Sequence, residues 1–142
     1  IYRESDTYYG GNKAIIAEIK KNKIKIGMTI CYDVRFPILY QDLAFNGAEI
    51  IVVPSAFSNI TGPVHWHTLL KARAIENFSY IFAPGQAGKH CNGRKTYGHS
   101  LIVSPDGVIL KELGKKEGVM TTTIYPKIVK RLRKNIPSVK FD

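Results

Sequence analysis

Ile24-Lys25-Ile26-Gly27-Met28-Thr29-Ile30-Cys31-Tyr32-Asp33-Val34-Arg35-Phe36-Pro37 is the stretch on which the fold turns. Residues 24–30 are rich enough in apolar and β-branched side chains for a short strand. Pro37 suits the first turn of a helix, because it has no N–H to leave unpaired and its φ is already helical. The spacing predicts that this helix runs to about residue 46 and stops at Gly47, a residue that tolerates the left-handed backbone of a helix C-terminus. Cys31 stands between the two, just past a strand and a few residues before a helix.

Working outward, Ile50-Ile51-Val52-Val53 after Glu49 reads as a strand covered on both faces and ended by Pro54. Residues 55–63 form a loop. Residues 63–77 read as a helix in which Trp66, Leu69, Leu70, Ala74 and Asn77 or Phe78 recur at helical spacing, so that one face is buried. Residues 79–83 form a further strand, stopped by Pro84-Gly85. Residues 85–97 read as a long polar loop that either borders an active-site mouth or only connects. Residues 98–104 and 107–110 read as strands joined by the turn Pro105-Asp106-Gly107. Residues 118–124 read as a last strand, and Pro126 opens a final helix to about residue 135. Residues 1–23 read as a turn-rich lead-in. The order β-α-β-α-β, hairpin, β-α predicts a layered α/β domain without internal repeats.

The 142 residues suit one domain, with 44% hydrophobic and 23% charged side chains. No apolar run approaches the roughly 18 residues of a membrane span, so no membrane partner is expected. Cys31 and Cys91 are too few for a disulfide framework, which makes a reducing, cytoplasmic location the expectation. Twenty-one Lys and Arg against eleven Asp and Glu give a formal charge of +10. That surplus points to nucleic acid, an anionic surface, an acidic substrate, or an acidic remainder of a longer protein.

Cys31 is the residue best placed for chemistry. Functional groups in α/β domains gather at the carboxyl ends of strands, and the positive end of a following helix favours a thiolate. The competing reading is a buried cysteine acting as a small hydrophobe. Thr29 and Asp33, two residues to either side, are too large for the nucleophile elbow of α/β-hydrolases. A reactive thiol also needs a base, and Glu4, Asp33, His65, His67 and His99 are all candidates among which spacing does not choose.

Residues 27–37 closely resemble the nucleophile segment of the nitrilase superfamily, the carbon–nitrogen hydrolases. Further blocks follow in the family's order. They are Pro54-Ser55-Ala56-Phe57, Thr61-Gly62-Pro63, His65-Trp66, Ala72-Arg73-Ala74-Ile75-Glu76-Asn77, Gln86, Tyr97-Gly98-His99-Ser100 and Ser104-Pro105-Asp106-Gly107. The series is most similar to the Nit branch, which includes deaminated glutathione amidase and ω-amidase. The resemblance implies part of a four-layer αββα sandwich of nitrilase type, with residues 1–142 the C-terminal part of a single domain. It implies Cys31 as the nucleophile, Glu4 of Arg3-Glu4-Ser5 as a supporting second Glu, and the backbone N–H of Tyr32 as an oxyanion donor. A small-molecule amide bearing a carboxylate is the implied substrate, with no cofactor. The family's base Glu and Lys precede the Arg-Glu-Ser block, and the chain begins three residues before Glu4, so a missing N-terminal segment is implied as a partner. Association with that segment, homo-oligomerisation through outer helices or poor solubility is expected to cover apolar faces left open.

Other residues have two readings each. Arg35 either meets a substrate carboxylate or forms an ion pair with Asp33 or Glu76. Phe57 and Trp66 either line a pocket or pack in the core, and helical spacing favours the core for Trp66. His65 and His67 are two apart on a helix and do not share a face, and His90-Cys91 lacks a second ligand pair, so no metal is expected. Lys127, Lys130, Arg131, Arg133 and Lys134 read as a solvated basic face. They lack interleaved stacking aromatics, which argues against nucleic acid as a partner.

Overall fold

Residues 3–139 are described by the computed structural model. Strand β1 (Ile15–Ile19) leads into β2 (Ile24–Met28), helix α1 (Pro37–Phe45), β3 (Ile50–Val52), helix α2 (Gly62–Asn77) and β4 (Tyr80–Ala83). The hairpin β5 (Ala87–Lys89) and β6 (Lys95–Tyr97) follows, then β7 (Leu101–Val103), β8 (Ile109–Glu112) and helix α3 (Pro126–Asn135). Single 3-10 turns occupy Glu4–Asp6 and Cys31–Arg35.

Six strands form one mixed sheet in the order β1-β2-β3-β4-β7-β8. Strands β2, β3 and β4 run parallel, because helices α1 and α2 carry the chain back between them. Strands β1, β7 and β8 pair antiparallel at the flanks. Alternation along the central strands sends Ile51, Val53, Ile81 and Ala83 toward Leu43, Trp66 and Leu70 of α1 and α2. Ile50, Val52, Tyr80 and Phe82 point the other way, where Val129 of α3 packs. Trp66, Leu43 and Leu70 are completely buried, and each such side chain contributes about 1.5–3 kcal/mol over exposure. Helix α1 ends as its sequence predicts. Gly47 takes φ +93, its N–H donates to Ala44, and the Ala48 N–H reaches back to Leu43.

The structure departs from the sequence reading in four places. Residues 15–19, read as lead-in, form β1 and pair with β2. The polar stretch 85–97 contains the β5–β6 hairpin. Residues 118–124 lie outside every ladder despite their β-branched composition. A strand needs a partner edge as well as propensity, and Val119 and Met120 instead border an open apolar groove of about 380 Å³ beside Val52, Phe82 and Ile102. Arg133 is not on a solvated face. Its guanidinium donates to the carbonyls of Asn77, Ala44 and Ala48 and to the Ser79 hydroxyl.

Candidate active site

The site is assembled by the carboxyl ends of the three parallel strands. Past β2 the chain reaches Cys31, past β3 it reaches Pro54 and Ser55, and past β4 it reaches Pro84, Gly85 and Gln86. The pairing continues beyond the strands. The Cys31 N–H donates to Pro54 O at 2.9 Å, the Ser55 N–H to Pro84 O at 2.9 Å, and the Gln86 N–H to Ser55 O at 2.9 Å. A cleft of about 550 Å³ opens over these ends, lined by Glu4, Ile30, Cys31, Pro54, Ser55, Ala56, Pro84, Gly85, Gln86, Arg94 and Ser100.

Cys31 is half-buried on this wall and takes φ +46, a left-handed conformation unusual for a residue with a Cβ. Holding it there costs on the order of 1–3 kcal/mol, which the surrounding bonds must offset. Several do. The Thr29 hydroxyl donates to Val52 O at 2.9 Å and accepts from the Tyr40 hydroxyl. Burial pushes the Tyr40 phenol far above its ordinary range, so that donor stays protonated. The Ile30 N–H donates to the Asp33 carboxylate at 2.8 Å, and the Asp33 N–H returns to Ile30 O at 3.0 Å. The chain therefore leaves β2, takes the left-handed conformation at Cys31 and continues as a 3-10 turn. The Cys31 N–H is committed to Pro54, whereas Tyr32 follows in the first turn, where helical N–H groups have no intrahelical acceptor.

Of the five candidate bases, Glu4 borders the cleft with Cys31. Asp33 is occupied by Ile30, and His65 Nδ1 lies 3.2 Å from Arg35. His67 and His99 converge on one oxygen of Glu112, at 3.0 and 2.5 Å. The ligating atoms of these three lie within 4.8 Å of one another, a constellation that spacing hid because it joins α2, the β6–β7 connection and β8. Both ring nitrogens are engaged by the same carboxylate oxygen, so the cluster clasps α2 to β8. Burial alone would raise the Glu112 carboxyl. Hydrogen bonds from His99 and His67 and their charge outweigh it and hold the group below its ordinary range.

Two of the expected substrate-binding residues are placed elsewhere. Phe57 is buried with its ring 4.9 Å from Trp66, inside the core rather than on the cleft wall. Arg35 lies over the rings of Tyr32 and Phe57 and beside His65, while the Glu76 carboxylate is taken by Arg73 at 2.9 Å. Arg94 is the cleft residue that the sequence reading did not single out. No local signal marks an arginine in a hairpin turn as reaching a carbonyl 38 positions away.

Residues 1–134 match the model of the family described as carbon–nitrogen hydrolase. A deaminated glutathione amidase of Synechocystis is 44% identical over 139 residues, which is 98% of this chain and 51% of that protein. Saccharomyces cerevisiae Nit3, of branch 10 of the nitrilase superfamily, superposes with a TM-score of 0.85 at 36% identity, covering 96% of this chain and 50% of that one. An amidase from Nesterenkonia sp. AN1, with acrylamide added at its active site cysteine, aligns with a TM-score of 0.72 at 26% identity, over 90% of this chain and 49% of that one. The chain spans about half the length of these relatives. Its mixed α/β architecture is that of the nitrilase superfamily, and the chain belongs to the carbon–nitrogen hydrolase family.

Proposed function

We propose that the chain is the nucleophile-bearing half of a thiol amidase that cleaves a small amide carrying a carboxylate. The observation that carries this is Cys31, held at a left-handed backbone position on a cleft wall that it shares with Glu4. The family match and the named amidases among its relatives support the reaction class. In this reading a Glu from the segment preceding Glu4 takes the thiol proton, and the sulfur attacks the amide carbon. The Tyr32 N–H and a Lys from the same segment hold the oxyanion. Ammonia leaves after protonation, giving a thioester. Water activated by the same Glu releases the carboxylic acid and restores the thiol. Glu4 supports the base and lysine electrostatically.

Assembly as a homodimer through outer helices and a cytoplasmic location belong to the same proposal. Among the described residues no helix is long and apolar enough to cross a membrane.

Loss of a general base costs roughly 10²–10⁴-fold and loss of an oxyanion donor roughly 10²–10³-fold. The 142-residue chain alone is therefore expected to release ammonia from a short ω-amide barely above background. Joined to the segment that precedes Glu4, it is expected to turn over, and Cys31→Ala is expected to abolish this. Efficient hydrolysis by the chain alone, or turnover of the joined protein without Cys31, would refute the assignment. A joined, folded protein inert toward all short amides would favour a non-catalytic subunit.

A further inference from the structure

We propose that Arg94 is the anion-recognising residue of the Cys31 cleft, selecting substrates whose non-reacting end carries a carboxylate. This rests on the thiol amidase reading and names the residue that would give it specificity. Among the cleft's described lining residues Arg94 is the cation and Glu4 the anion. Arg94 is held in place rather than carried on a loose loop. Its Nη2 donates to Ala56 O at 3.1 Å and its backbone N–H to Asn92 Oδ1 at 3.0 Å. The hairpin that bears it is anchored by buried Thr96, whose strand bridges to Ser58. Among the described residues no carboxylate lies within ion-pair distance of its guanidinium.

The bond to Ala56 engages one of the guanidinium's five N–H donors, and the planar fork matches a carboxylate in a way that a point charge does not. Arg35, the cation that the sequence offered for this role, is not among the cleft's lining residues and lies beside His65 and two aromatic rings. Arg94 is thus the positive charge that lines the cleft on which Cys31 sits.

Alkylation of Cys31 tests this on the chain as it stands. Iodoacetate and iodoacetamide react alike, the sulfur forming a bond to carbon as iodide leaves and the thiol proton passes to solvent, but only iodoacetate is anionic. The ratio of their rates at Cys31, read by peptide mapping, is expected to fall about threefold or more in Arg94→Gln, since opposite unit charges sharing one cleft attract even through water. Arg94→Lys is expected to retain part of the ratio, and added salt to lower it in the unsubstituted chain. Lys127→Gln, which removes an equal charge from the exposed side of α3, is expected to leave it unchanged. An unchanged ratio in Arg94→Gln, or an equal fall in Lys127→Gln, would overturn the proposal. Failure of Cys31 to react with either reagent above about pH 8.5, where a thiol ionises without a base, would instead overturn the thiol reading beneath it.

Discussion

At the scale of single residues, backbone geometry dominates. Gly85 sits where the strand-end pairing of β4 passes under the 98–100 segment, its N–H donating to the Ser100 hydroxyl at 2.8 Å. A Cβ there would collide with the Gly98 carbonyl oxygen, which is backbone and has no rotamer to give. Gly85→Ala is therefore expected to cost about 1–3 kcal/mol in urea denaturation, with loss of Cys31 reactivity because the cleft floor shifts. Glu112 is a second case. Its folded carboxyl titrates below the ordinary value of 4.5, so its contribution to stability is present above that pH and is lost as pH falls through the folded value. Glu112→Gln is expected to be less stable than the unsubstituted chain at neutral pH, with the gap closing below about pH 4.5 in denaturation curves.

At the scale of elements, Arg133 binds α3 to the rest of the domain. Its guanidinium adds a charged donor to carbonyls at the ends of α1 and α2, Ala44 and Asn77, and to Ala48. Burial pulls this guanidinium down to about 10, offset by Glu49, so it remains charged at neutral pH. Arg133→Met is expected to cost about 3 kcal/mol, because the carbonyls of Asn77, Ala44 and Ala48 lose a charged donor, and Arg133→Lys to recover little of that. Thermal unfolding of the two variants checks this. The periodicity of α3 placed Arg133 among the basic residues, and nothing local distinguishes it from Lys130, three residues earlier, which is exposed. Only the meeting of two helix ends beside it makes the difference.

At the scale of the whole molecule, one sheet face is served by α1 and α2 and the other only partly by α3. The groove of about 380 Å³ bordered by Val52, Phe82, Leu113, Val119 and Met120 stays open. Exposed apolar surface of this kind binds hydrophobic dyes. The chain alone is expected to enhance the fluorescence of anilinonaphthalene sulfonate at neutral pH, and the chain joined to its preceding segment to lose that enhancement. Equal dye binding by both would show that the added segment does not cover the groove.

The sequence by itself determined the helices, the three central strands and the position of Cys31, because those depend on local periodicity, on Pro37, Pro63 and Pro126 at helix starts, and on Gly47 at a helix end. It also determined the family, through an ordered series of blocks. Tertiary structure alone decided that residues 15–19 become a strand while residues 118–124 do not, since pairing needs a free edge in the right place. It alone moved Phe57 into the core, brought Arg94 to the cleft and gathered His67, His99 and Glu112. Contacts between segments tens of residues apart are set by how the sheet twists and the helices cross, and no local pattern encodes that.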